Sequence, residues 1–163
     1  MFSNELDIRQ LFVEGEKYYT EDLFANHEPG AFFSYTNCTW GLIASIVERV
    51  SGHRFDVYCR ENIFKPLAMG ASFNVVDIEN IDQVAVLYRF QDSTWTVQAD
   101  DYKGQRPESR VFESYTLGQN GLLFGPLGCL RASANDLAKF AFSPFCAEIV
   151  SSSLFVMFLL FPI

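Results

Sequence analysis

Tyr35 and Asn37 carry a phenol and a carboxamide on alternate residues of Ser34-Tyr35-Thr36-Asn37, just ahead of a run with helical period. In an extended strip alternate side chains share a face, so the two polar tips address one small volume. That placement suits a hydrolytic site, which must hold a reacting oxygen and a substrate amide together. The local alternative is structural: a packed Tyr35, and an Asn37 that caps the following helix. Pro29-Gly30 turns the chain into this stretch, and Phe32 and Phe33 are expected to anchor it.

Other chemistries find less support. His27 and His53 are the only histidines and are expected on the solvated surface; there is no Gly-x-Ser-x-Gly elbow and no His-Glu-x-x-His metal motif. Cys38 lies beside the Tyr35–Asn37 stretch, but no base accompanies it in sequence. Cys38, Cys59, Cys129 and Cys146 are scattered, without a Cys-x-x-Cys pair and without His at ligand spacing. Free thiols are therefore expected, with no metal and no cofactor. Asn37-Cys38-Thr39 also matches a glycosylation sequon, a role that would obstruct the same loop.

The elements that must position Tyr35 and Asn37 follow at once. Trp40, Ile43, Val47 and Val50 recur at helical spacing, Leu42 and Ile46 widen the stripe, and Glu48-Arg49 fall on the other face. Gly52 is suited to close that helix in a left-handed conformation. Arg54 to Phe64 reads as a second helix with Phe55, Tyr58 or Cys59, and Ile63 on one side, stopped by Pro66. Further on, Val84, Val86, Tyr88 and Phe90 alternate, as do Thr94 to Gln98, which predicts a hairpin across Gln91-Asp92-Ser93. Lys103 to Arg110 is expected as a surface loop, and Gly118 to Gly128 as a glycine-rich approach to another helix. That last helix has a capping box in Ser133 and Asp136, so Asp136 is read as structural. Met1 to Glu28 is read as short helices and loop.

The string Pro29-Gly30, Phe33-Ser34-Tyr35-Thr36-Asn37, Glu48-Arg49-Val50-Ser51-Gly52, Tyr58, Ile63, Pro66-Leu67-Ala68-Met69 resembles the middle of class C beta-lactamases and the penicillin-binding serine hydrolases related to them. Gly128-Cys129-Leu130-Arg131-Ala132-Ser133-Ala134-Asn135-Asp136-Leu137-Ala138-Lys139-Phe140 resembles the same family's glycine-rich turn and following helix. The resemblance implies an α+β fold of the beta-lactamase/transpeptidase type, with the chain supplying mainly the helical lobe and a hairpin and leaving the sheet lobe incomplete. It implies that Tyr35 is the acid/base phenol beside a nucleophilic serine, and that Asn37 holds a small-molecule amide or ester substrate. A phenol, with a reference pKa of about 10, serves as a base only beside cations, which lysines provide in the family. Yet no Ser here has Lys three residues later, and neither Lys-Thr-Gly nor His-Thr-Gly occurs. The expected organisation is a lead-in over 1–27, a beta-lactamase-like region over 28–140 and an apolar tail over 141–163, with both ends of the family pattern missing. The expected function is that of a serine-hydrolase fragment without turnover of its own; the alternative is a non-catalytic pseudoenzyme or binding module that keeps the helical lobe.

Composition bounds the partners. With 163 residues, of which 49% are hydrophobic and 17 are Phe, the chain can bury a core. Its 12 basic and 20 acidic side chains leave a net charge of -8, which repels nucleic acid and anionic lipid. No secretory leader is visible at the N-terminus, although the resemblance places a full-length member outside the cytoplasm. Ile149 to Ile163 has no charged residue but falls short of the about 20 residues a bilayer span needs, so no stable span is expected.

Overall fold

The computed structural model describes residues 6–109, 112 and 115–144. Cys146 and the apolar stretch 149–163 lie outside them. The described residues form helices and one two-stranded antiparallel sheet, an α+β arrangement. The elements are α1 (Arg9–Phe12), α2 (Asn37–Ser51), α3 (Phe55–Cys59), which runs on into a π-helical turn at Arg60–Phe64, β1 (Leu87–Gln91), β2 (Thr94–Ala99) and α4 (Ala134–Ala141). None of the described helices is long and apolar enough to cross a membrane.

Local chemistry sets where these elements begin and end. Thr36, extended at φ -141°, accepts the Cys38 N–H on its hydroxyl and starts α2; Gly52, at φ 72°, ends it. Ser133 and Asp136 form the expected capping box at the start of α4. The hairpin turns on Asp92 and Ser93, both left-handed, which is the turn that matches strand twist. Across it Phe90 pairs with Trp95, their rings 5.2 Å apart.

Packing departs from the expected face of α2. The large apolar residues Trp40, Leu42, Ile43, Ile46 and Val50 are exposed, and the helix buries Gly41, Ala44, Ser45 and Glu48 instead. The reason is a close approach to the 3-10 turn Gly121–Phe124, whose residues are all buried. A Cβ on Gly121 would meet the Ser45 nitrogen at 2.5 Å and the Gly41 oxygen at 2.6 Å, so only a glycine allows this depth of contact. The Gly121 N–H donates to the buried Ser45 hydroxyl at 2.9 Å, which leaves neither polar group stranded. Within the glycine-rich stretch that leads towards α4, residues 120–125 are also part of the core.

A second cluster gathers Cys59, Phe64 and Ala71, with Phe55, Ile63 and Phe73 against them. Here the expected inner face of the Arg54–Phe64 segment is the observed one. Burial, with the charge of Asp56 added, pushes the Cys59 thiol up to about 12, so it packs as a small hydrophobe. Ser72 and Arg131 exchange backbone hydrogen bonds, and Asp136 accepts the Gly70 N–H at 3.1 Å, joining α4 to this cluster.

Candidate functional site

The approach to Tyr35 is a turn in which the Ala31 N–H reaches the Glu28 carbonyl, with Pro29 second and Gly30 third at φ 84°. A left-handed third residue is what a type II turn requires, and glycine supplies it without strain. Phe32 and Phe33, expected as anchors, are instead 70% and 64% exposed. The ring of His27 meets Phe32 edge-on at 5.1 Å. Both histidines are exposed, as expected.

The structure brings Tyr35 and Asn37 together. The Tyr35 hydroxyl donates to Asn37 Oδ1 at 2.9 Å, with Tyr35 60% exposed. Thr36 is the cap of α2, and Asn37 is its first helical residue, so the capping role weighed for Asn37 belongs to its neighbour. The bond has a directional consequence. With the Asn37 carbonyl accepting from the phenol, its amide N–H groups make no hydrogen bond among the described residues. They are two donors able to take a carbonyl, beside a phenol oxygen able to accept a hydrogen bond.

No cation is bonded to the Tyr35 phenol among the described residues. Lys65 pairs with Glu61, Lys103 faces Asp101 at 3.9 Å, Lys139 reaches Asp136 and the Ala68 carbonyl, and Lys17 lies over the Tyr18 ring. These are the chain's lysines, and none of them is hydrogen-bonded to Tyr35.

Sequence reasoning passed over the group that holds α2 in place. Glu48 is fully buried; its Oε1 accepts the Phe55 N–H at 2.9 Å, and its Oε2 accepts the Tyr115 hydroxyl at 2.6 Å and the Gly118 N–H at 2.8 Å. Burial, then the hydrogen bond to Glu48 and its charge, drive the Tyr115 phenol far above its ordinary range, so it remains a donor. The available signal was the small-residue stripe Gly41, Ala44, Ser45, which shares a helical face with Glu48 and gives the carboxylate an inward direction.

Two clefts line other parts of the molecule. One, of about 620 Å³, is bounded by the hairpin, the Gly70 region and the start of α4. Inside it Arg131 grips Asp100 through Nε at 3.0 Å and Nη2 at 2.7 Å, and Tyr102 donates to the same carboxylate at 2.8 Å. Burial pushes the Asp100 carboxyl up, but Arg131 and Tyr102 outweigh it and hold the group below the usual carboxylate range. The other, of about 350 Å³, lies between the Asp7 region and Thr116–Gln119. Neither is lined by Tyr35 or Asn37, which stand on an open surface.

A family model described as Beta-lactamase matches residues 16–154. No curated protein and no solved structure matches the chain.

Proposed function

This chain belongs to the beta-lactamase family, and from that membership we propose that Tyr35 and Asn37 are the proton-handling and substrate-holding part of a serine-hydrolase site whose nucleophile this chain does not carry. The observation behind the reading is the Tyr35–Asn37 hydrogen bond at 2.9 Å on the exposed approach to α2. In such a site a serine oxygen attacks the carbonyl of a beta-lactam, a D-amino-acid peptide or an ester. The acyl–oxygen bond forms, the bond to the leaving group breaks, and the serine's proton ends on the leaving atom. Asn37 donates to the substrate's amide carbonyl, and the phenol relays the proton. The chain's sequence supports the absence of turnover by this polypeptide alone, since no serine stands three residues before a lysine and no Lys-Thr-Gly or His-Thr-Gly is present. The lysine partners described above point the same way, and they also favour the second reading, a binding module without catalysis.

The test has two arms. Purified chain, given a chromogenic beta-lactam and a p-nitrophenyl ester together with a serine-directed probe, shows no turnover above background and no stoichiometric label. One serine labelled stoichiometrically, with turnover lost on its replacement, would show a nucleophile that this reading lacks. Fusing the chain to a segment with Ser-x-x-Lys and Lys-Thr-Gly separates the two readings: the fragment gains turnover, and a binding module does not.

A further inference from the structure

A second place for a ligand lies at the far end of α2, where Arg49 is about 18 Å along the axis from Asn37 at 1.5 Å per residue. The cleft there, about 350 Å³, has a volume within the range of small-molecule sites. Two guanidinium groups line it, in a chain whose net charge is -8. They are not equivalent. Arg9 is committed to Asp7, its Nε 2.9 Å from Oδ2. The Arg49 side chain makes no hydrogen bond and no ion pair among the described residues. Of the two guanidinium groups that line the cleft, Arg9 takes the carboxylate of Asp7, and the Arg49 side chain has no ion pair among the described residues. Both oxygens of the nearby Glu48 are taken by Phe55, Tyr115 and Gly118, so it makes no ion pair with Arg49, and its charge lies beneath the Gly118 floor.

The walls are built rather than incidental. Gly118 stands at φ 78°, and a Cβ there would overlap Cγ and Cδ of Arg49, so the arginine stem has a bed that only glycine provides. The Gly118 N–H is held by Glu48 at 2.8 Å, and the Gln119 N–H by the Thr116 carbonyl at 3.1 Å. Across the cleft the Ile8 N–H donates to the Gln119 carbonyl at 2.6 Å, and Gln119 Nε2 donates to Asp7 Oδ2 at 3.3 Å. The two walls are therefore tied to each other, and the unpaired fork is held over a fixed floor.

We infer that this cleft binds a small monocarboxylate with an apolar body. A planar carboxylate matches the two-pronged guanidinium face of Arg49, which a point charge does not require. A singly charged carboxylate pairs with the Arg49 guanidinium, whereas a dianionic phosphate would meet stronger repulsion from Asp7 and Glu48. Thr116 and the apolar Leu117 also line the cleft, beside the place for the body of the ligand. The Tyr35–Asn37 pair takes no part.

Benzoate is the probe, titrated into the whole 163-residue chain with amide spectra recorded by NMR, and neutral benzamide is the control. The expected result is saturable single-site binding with shifts concentrated on Thr116 to Gln119 and none from benzamide. Arg49→Gln weakens benzoate binding about tenfold or more, the size of a lost hydrogen bond to a charged group, while Tyr35→Phe binds as the parent does. Arg49→Lys keeps stem and charge without the fork; it holds the melting temperature should Arg49→Gln lower it, and binds more weakly than the parent. Absence of saturation, benzoate binding by Arg49→Gln or Arg49→Lys equal to the parent's, or the same shifts from benzamide overturns the inference. None of these readouts depends on turnover.

Discussion

Glu48→Ala removes the acceptor of three donors at once: the Phe55 N–H, the Gly118 N–H and the Tyr115 hydroxyl, at 2.9, 2.8 and 2.6 Å. Glu48 is 0% exposed, so no bulk water stands ready to replace it. A buried donor left without an acceptor costs about 1–3 kcal/mol, and the hole left by the side chain admits a water that satisfies one of the three. The net loss is expected at about 3–5 kcal/mol, a large part of the about 5–15 kcal/mol that holds a domain together. Glu48→Gln tests the cause, because shape is kept while one acceptor becomes a donor. If its oxygen faces Tyr115 and Gly118, its amide opposes the Phe55 N–H, and about 1–3 kcal/mol is lost. Tyr115→Phe, which deletes one donor and leaves the acceptor, should cost least. Urea unfolding followed by circular dichroism gives the three values, with unchanged slopes required for the comparison. An alanine variant within about 1 kcal/mol of the parent would refute the reasoning, since the three donors would then have partners other than Glu48.

Gly121→Ala forces a methyl into the Ser45 and Gly41 backbone, and the expected loss is about 1–3 kcal/mol or more, read in the same unfolding curves; an unchanged midpoint would deny the close approach. Asp136 is pushed up by burial, but the hydroxyl and N–H of Ser133, the Gly70 N–H and Lys139 outweigh this and hold its carboxyl below the ordinary range. Its stabilisation is therefore complete above the unfolded carboxylate pKa of about 3.9 and is lost as pH falls through the lower folded value, so Asp136→Asn should flatten the acid limb of the stability curve. Tyr35→Phe removes an exposed hydrogen bond and should change stability by under about 1 to 1.5 kcal/mol. In the fusion that restores the nucleophile the same change should lower turnover by about 100- to 10,000-fold, and near-normal turnover with a sharply lowered melting temperature would make Tyr35 a structural residue.

Element ends were legible because short-range chemistry fixes them. Gly52 ends α2, the Ser133–Asp136 box opens α4, and Asp92-Ser93 turns the hairpin, each through groups within a few residues of one another, whereas the start of α2 was read one residue late, at Asn37 instead of Thr36. The proximity of Tyr35 and Asn37 was legible for the same reason: an extended Thr36 between them puts both side chains on one side. The family, too, was readable in the motif string, which falls inside the matched residues 16–154.

The inward face of α2 was not. Two stripes on that helix obey the same period, one large and apolar through Trp40, Ile43 and Val50, the other small through Gly41, Ala44, Ser45 and Glu48. Periodicity ranks them by hydrophobicity and picks the first. The tertiary structure picks the second, because Gly121, 76 positions from Ser45, brings a bare backbone against the helix and completes a buried hydrogen bond that a large side chain would block. The carboxylate of Glu48 is drawn inward with that face and finds donors from Phe55, Tyr115 and Gly118, up to 70 positions away. Local sequence sets period and caps, while the choice between two faces depends on which distant segment can approach closest, and that is decided only when the chain has packed.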